Sequence, residues 1–355
     1  MSETKMSIVP TMAFKGRAGH GGRLRPYLCV LGVICSLVLA ASGASNARSV
    51  SASGSSSRQL IKLSAILGWY AEPARAGFYA AQNLGYYKAA GLDVNLIAGA
   101  DVSPEQVVGS GRAQFGYDDG DAIAQSASQG IPIEGLAASY QTFGFILLYH
   151  TSSGIHGFRQ LSNRTVYIFP GSLYWEYIVK KYHLTGVKQV AYTGSLVPFL
   201  TSPASVNQGY LGVENYAARK HGVAVGYLLV ANSGYNPYSN VIFTMKSYAA
   251  AHPAIVRAFV DATVKGWNAY KTDYRAIDKY MNQFNKGFSA AAMDVNAVAQ
   301  EPLVFGGDAR SHGVGYMSPE RWRATVAGLL YIGAMKKALP VSSMYTDAFL
   351  PGHGR

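Results

Sequence analysis

The sequence predicts an α/β fold in which mostly parallel sheets are flanked by helices, and three observations carry that prediction. Residues 60–97 read as strand, helix and strand in succession. Strand-like and helix-like stretches keep alternating through the first half of the chain, the pattern of βα units around a largely parallel sheet. With 355 residues, 49% hydrophobic and 14% charged, the chain can bury a sizeable core as one large domain or two.

In the first unit, residues 60–67 (LIKLSAIL) form a short, partly alternating apolar run of strand type. A polar-aromatic turn, GWYAE, follows at 68–72. Pro73 then stands where the first helical residue falls, its fixed φ suiting that position. From Ala74 the spacing of Phe78, Ala81, Leu84 and Gly85 predicts an amphipathic helix that closes near Gly85 or Gly91. Residues 91–97 predict the second strand. Open α/β sheets bind ligands at the carboxyl ends of their strands, and this unit puts Trp69, Tyr70, Glu72 and Arg75 at such an end.

Further along, Ser103-Pro104-Glu105-Gln106 has the capping-box arrangement and opens a short helix to Gly109 or Gly111. Asp118-Asp119-Gly120-Asp121 opens another, running to Gly130. Residues 144–150 (GFILLYH) predict a buried strand and 164–169 the next one. Gly171-Ser172 is the loop after it, and 174–182 a helix. Residues 237–244 are strand-like again, Pro253 starts a long helix over 255–270, and Ser318-Pro319-Glu320 caps one to Ala338. No internal repeat of 20 to 50 residues is present.

The first 47 residues differ from the rest. Arg23 and Arg25 precede an uninterrupted apolar run from Tyr27 to Ala41, and Ser45-Asn46-Ala47 offers small residues for cleavage, the pattern of a secretory signal peptide; an uncleaved anchor is the other reading. The leader before Arg23 is long, so Met6 or Met12 is a candidate start. Both cysteines, Cys29 and Cys35, lie in this leader, so the processed chain has no disulfide, thiolate metal site or cysteine nucleophile. Neither stands in a lipoprotein cleavage pattern. Residues 48–59 are a Ser-rich linker or trimmed tail.

Net charge is +12. The leader holds five basic residues and one acid, which leaves 26 basic and 18 acidic side chains, net +8, in residues 48–355. Apart from the pairs Lys180-Lys181 and Lys336-Lys337 the charges are dispersed, with no basic stripe for nucleic acid; they suit a solvated surface with some bias toward an anionic ligand or membrane.

Aromatic residues collect at predicted strand ends: Trp69, Tyr70, Tyr117, Tyr140, Tyr174, Trp175, Tyr192, Tyr210, Tyr235 and Tyr238. They supply flat faces for a planar heterocycle, and each serves equally for core packing. Trp69 and Trp175 each sit beside a Gly or Ser loop on the ligand side. Glu72, Asp118, Asp119 and Glu214 are carboxylates at loop-to-helix junctions, able to accept paired hydrogen bonds from an aminopyrimidine or amidine-like edge. N-capping is the stronger reading for Asp118 and Asp119. Arg75 either binds an anionic group or covers surface. Gly171 and Ser172, like Gly194-Ser195, place backbone N–H groups near helix starts, where anions bind. No phosphate-loop, HExxH, GxSxG or EF-hand pattern occurs, and His156, His183, His221, His252 and His312 lack metal-ligand spacing.

Residues 68–94, the run 101–106 with 111–117, the turn Gln129-Gly130-Ile131-Pro132-Ile133 and the segment 208–215 occur in an order that resembles the bacterial solute-binding proteins of the nitrate, sulfonate and thiamine-pyrimidine-precursor group, a family that also contains the yeast thiamine-pyrimidine synthase. The resemblance covers Leu60 to about Tyr331. It implies a type II periplasmic-binding-protein fold of two lobes with a ligand cleft between them: 60–150 the first part of lobe 1, 151–236 lobe 2, and 237–355 the return to lobe 1 with C-terminal helices. Residues 144–150 would cross into the second lobe, and two crossings make a hinge.

The function so implied is the periplasmic or extracellular component of an ABC importer, a monomer working with a membrane permease. It would close on a small aromatic or anionic organic ligand without a cofactor, metal or nucleic acid. Trp69, Tyr70, Glu72, Arg75, Tyr117, Asp118, Gly171, Ser172, Trp175, Tyr192, Glu214 and Tyr235 are the expected ligand-binding residues, with Glu214 carried by the family pattern. The alternative is the synthase, which consumes one of its own histidines, holds pyridoxal phosphate on a lysine and binds iron near cysteines. Here Arg75 occupies the matching histidine position, no lysine lies between Lys62 and Lys88, and the processed chain has no cysteine. N-terminal sequencing of the exported protein is expected to begin close to Arg48; residues from before Arg23 in the exported chain would overturn the cleavage.

Overall fold

The computed structural model describes residues 59–99 and 102–354; the leader and most of the Ser-rich linker lie outside the described residues. Ten strands form two five-stranded sheets. The first holds β1 (Ile61–Ile66), β2 (Leu92–Ile97), β3 (Phe115–Asp118), β4 (Ile133–Tyr140) and β10 (Ser239–Met245), in the order β2-β1-β3-β10-β4. The second holds β5 (Phe145–His150), β6 (Thr165–Ile168), β7 (Lys188–Ala191), β8 (Val206–Tyr210) and β9 (Val225–Leu229), in the order β7-β6-β8-β5-β9.

The two sheets follow one plan. In each, a strand antiparallel to its neighbours lies fourth: β10 between β3 and β4, and β5 between β8 and β9. That strand is always the one the chain delivers directly from the other lobe. The first passage falls at residues 141–144, ahead of the boundary at 150 expected from the sequence, because Phe145–His150 hydrogen-bonds into the second sheet.

Local chemistry explains the elements. Pro73 does open the segment after β1, but as a 3-10 turn, Pro73–Arg75; the α-helix proper is Ala76–Asn83, and Gly85 (φ +74°) breaks it from the short helix Tyr86–Ala89. Ser103 caps Pro104–Gly109 by accepting from the Gln106 amide at 3.3 Å, while its hydroxyl donates to Glu105 at 2.6 Å, so the expected box forms by half. The helix Pro319–Ile332 ends at Gly333 (φ +83°), short of Ala338, because the left-handed glycine closes it.

Each sheet carries apolar clusters on both faces. In the first lobe Phe115 stacks on Phe259 of the long helix Pro253–Thr272, with ring centroids 3.9 Å apart. The C-terminal segment also bridges the lobes. Helix Pro319–Ile332 packs on Gly120–Ser128 of the first lobe and on Leu173–Tyr182 of the second. Lys180 donates to the Tyr331 carbonyl, and the Tyr177 and Tyr331 rings meet edge to face at 5.6 Å. Lys181 donates to the carbonyl of Ser233, inside the second passage between lobes.

Helices Ala76–Asn83 and Pro253–Thr272 touch backbone to backbone at Gly77 and Gly266. A Cβ on Gly266 would stand 2.0 Å from the Gly77 carbonyl oxygen. Alanine normally stabilises a helix over glycine by about 1 kcal/mol. The contact reverses that sign, and Gly266→Ala is expected to lower stability by about 1–3 kcal/mol, because an overpacked core must shift. A denaturant titration checks this; equal or greater stability in the variant would show that the helices part freely.

Candidate ligand cleft

The carboxyl ends of the parallel strands in the two sheets face each other across a cavity of about 260 Å³. β1 delivers the turn at Gly68, whose left-handed backbone (φ +66°) and close approach to the Tyr117 carbonyl, 2.9 Å from a would-be Cβ, leave room for glycine alone. Trp69, Tyr70, Glu72 and Arg75 follow on this turn and line the cavity. Asp118 and Asp119 enter at the end of β3, and Asn240 near the start of β10. The second lobe contributes Phe145, Phe169, Tyr192, Gly194, Gln208, Tyr210 and Glu214, and a C-terminal turn adds Asn285 and Phe288.

Aromatic rings frame the space. Trp69 and Phe169 approach edge to face across the cleft at 6.5 Å, Phe169 reaches Tyr192 at 5.2 Å, and Phe145 reaches Tyr210 at 5.2 Å. A hydrogen bond also joins the lobes, Asn240 Nδ2 donating to the Tyr210 hydroxyl at 3.0 Å. Such walls suit a flat ring of modest size.

Carboxylates supply the polar lining. Glu72 pairs with Arg75 at 3.2 Å, both side chains largely buried, and Arg75 Nε donates to the Leu67 carbonyl at 3.2 Å. Glu214 folds back onto β8: its Oε2 accepts from the Tyr210 amide at 2.7 Å and its Oε1 from the Tyr192 hydroxyl at 3.3 Å. Gly209 makes that possible, since a Cβ there would lie 2.8 Å from Glu214 Cβ. Asp119 Oδ1 accepts from the Ser239 hydroxyl at 2.5 Å and the Asn240 amide at 3.0 Å, and Asp118 Oδ1 from the Asp119 amide at 2.7 Å. Although Asp119 occupies the N-cap position of Gly120–Ser128, its side chain makes no cap bond and is spent on β10 instead.

Burial disfavours the ionised form of all four acids. It pushes Glu214 up to about 7, with Glu72 adding to the effect and the Tyr210 amide opposing it. Glu72 is raised by burial against the pull of Arg75, Asp118 is raised well above the usual range by burial and then by Glu105 and Asp119, and Asp119 is raised by burial despite its bonds from Ser239 and Asn240.

Seven of the expected residues line the cavity: Trp69, Tyr70, Glu72, Arg75, Asp118, Tyr192 and Glu214. Five do not. Tyr117 is fully buried in the first lobe and donates to the Ala74 carbonyl at 3.1 Å, because strand alternation turns it away from the cleft that Asp118 meets. Trp175 is buried in the second-lobe core, its Nε1 donating to Gln189 at 3.1 Å, and Tyr235 is buried between lobes with its hydroxyl on Asp121 at 2.5 Å. Gly171 and Ser172 form the turn before Leu173–Tyr182, where the Ser172 hydroxyl donates to the Phe169 carbonyl at 2.8 Å. Phe145, Phe169, Gln208, Asn240, Asn285 and Phe288 were not expected; the signal within reach was the polar pair Ser239-Asn240 at the start of a mainly apolar strand run. Among the described residues no cluster of His, Cys, Asp or Glu is arranged to hold a metal, and no helix is long and apolar enough to cross a membrane.

Two α/β lobes that exchange one antiparallel strand each, with a cavity between facing strand ends, define the periplasmic-binding-protein fold. Residues 72–273, more than half of the chain, match the family described as NMT1/THI5 like, and the protein belongs to that family. It is 23% identical over 297 residues to the riboflavin-binding protein RibY of Chloroflexus aurantiacus, covering 78% of this chain and 82% of that one. Among solved structures it is similar to the periplasmic sulfonate-binding protein SsuA of Methylobacillus flagellatus (15% identity, TM-score 0.62, 83% and 94% of the chains). The nitrate-binding protein NrtA of Synechocystis PCC 6803 (11%, TM-score 0.63, 83% and 88%) is likewise similar, as is the desulfurization enzyme DszB (13%, TM-score 0.54, 82% and 98%). At these identities the solved structures establish the fold alone, which carries binders and an enzyme alike.

The raised acid in the cleft sets a pH dependence. Glu214 titrates near 4.5 when unfolded and at about 7 when folded, so folding meets no cost from it below the first value. The cost grows as pH rises between the two values and is complete above the second, at about 1.4 kcal/mol for each pH unit crossed and roughly 3 kcal/mol in all. Glu214→Gln is therefore expected to raise the melting temperature of the ligand-free protein at pH 8 and leave it unchanged at pH 4. Identical melts for the two proteins at both pH values would mean that Glu214 is solvated.

Proposed function

We propose that this protein is the extracytoplasmic solute-binding component of an ABC importer, exported by its leader, monomeric and delivering a small ligand to a membrane permease. The ligand is a planar aromatic or heteroaromatic molecule held between the lobes. The observation that carries this reading is the cavity framed by Trp69, Phe169, Phe145 and Tyr210, with polar acceptors at its edges and two chain passages between the lobes. Family membership and the riboflavin-binding relative support a binding role for the cleft.

The synthase alternative asks for a histidine donor, a lysine for pyridoxal phosphate and thiolates. No histidine, lysine or cysteine is among the described residues lining the cavity, and Arg75, which replaces the donor, is tied to Glu72.

Native mass spectrometry of protein purified from its own host is expected to show a small aromatic molecule released on denaturation. Trp69→Ala should weaken binding of that molecule by about twofold to tenfold through loss of an aromatic contact worth about 0.5–1.5 kcal/mol, with the ligand-free melt unchanged. Conversion of pyridoxal phosphate to a pyrimidine in the presence of iron and oxygen would move the protein to the enzyme class.

A further inference from the structure

The cleft is acidic although the chain is basic. Glu72, Asp118, Asp119 and Glu214 line one small cavity in which, among the described residues, Arg75 is the single cationic side chain. That guanidinium is already committed, bonded to Glu72 and to the Leu67 carbonyl. Asp118, Asp119 and Glu214 form no ion pair with any described residue. Asn240, 4% exposed and also lining the cavity, spends its Nδ2 on Tyr210 and Ser239, while its Oδ1 carries no hydrogen bond from a described residue. The free capacity of the site is thus mostly acceptor.

Three acids without an ion-pair partner among the described residues, together with the Asn240 acceptor, impose a sign on the guest. An anion would meet like charge at short range in a medium that screens poorly, while a cation with N–H donors would satisfy the acceptors and relieve the crowding. The dispersed basic surface does not cancel this, because charges beyond a Debye length of about 8 Å are screened at physiological salt and the cleft acids act at contact. Burial raises all four acids, so part of the charge in the cleft is held back as protons, which a bound cation would displace.

Resting on the reading of this cleft as the ligand site, we propose that it selects by charge, taking a planar amidinium-type cation and rejecting sulfonate, carboxylate and nitrate-like anions. Glu214 and Asp118 receive the N–H groups, and Asn240 Oδ1 takes a further donor.

Three probes with one phenyl ring and different charge test it: benzamidinium, benzamide and benzenesulfonate, each titrated into full-length protein at pH 8 by ligand-observed NMR. The expected order is benzamidinium, then benzamide, then benzenesulfonate, with at least tenfold between first and last. Glu214→Gln and Asp118→Asn should each shrink that gap several-fold, with thermal melts run alongside to show that the variants fold. Equal or tighter binding of benzenesulfonate, or an undiminished gap in both folded variants, overturns charge selection while leaving the cleft as a binding site. Binding of none of the three removes the aromatic cleft itself, and the inference with it.

Discussion

Every feature of the cleft depends on the fourth position in each sheet. A strand there must satisfy backbone groups on both of its edges, and in both sheets the strand that does so arrives from the opposite lobe: β5 fills the gap between β8 and β9, and β10 the gap between β3 and β4. The second sheet is complete once the chain has crossed, the first only when it has crossed back. The lobes are therefore joined by two passages that begin and end in hydrogen-bonded ladders, and the strand ends on either side are held facing each other. Asn240 and Phe145, at the starts of the two exchanged strands, are delivered to the cavity by the crossing itself.

Within that frame, glycine decides which polar groups reach the cleft. Gly68 lets β1 turn under the Tyr117 carbonyl so that Trp69 and Glu72 point outward from the strand end. Gly209 lets Glu214 fold against β8, where an amide and a phenol hold both of its oxygens. These acids lie in a place that opposes their ionisation, and the rest of the fold, notably the aromatic packing of Phe115, Phe78 and Tyr87 on Phe259, supplies the compensating stability.

Much of this was legible in the chain, for physical reasons that differ by residue. The turn at 68–75 could be read because Gly, Pro and an abrupt change from apolar to aromatic-polar residues are all local signals. Glu214 came from the family pattern. Trp175 and Tyr235 misled because an aromatic at a predicted loop edge looks the same whether its ring points to the cleft or inward, and only the helix phase of Leu173–Tyr182 and the partner Asp121 decide it. Asn285 and Phe288 carried no signal at all: they stand on a turn between C-terminal helices, and their place beside Trp69 follows from tertiary packing, shown by Asn285 Nδ2 donating to the Ala71 carbonyl at 2.9 Å. The exchange of strands was visible as two apolar runs, 144–150 and 237–244, but the residue at which the chain changes lobe was not, since a buried strand reads alike in either sheet.

The bridge made by helix Pro319–Ile332 gives the protein a bound edge, in the bookbinder's sense. Lys180 and Tyr177 of the second lobe are stitched to Tyr331, and Lys181 to the passage at Ser233, while Tyr235 in the same passage is fastened to Asp121 of the first lobe. Two covers sewn along one side part only along the other. Away from these stitches the lobes meet through Trp69 and Phe169, through Tyr210 with Asn240, Ser239 and the Tyr140 ring, and through Asn296 on the Leu211 carbonyl, contacts that consist of ring edges and neutral hydrogen bonds. Pages held this way turn where the bonds between them carry no charge, and that is the place where the guest sits.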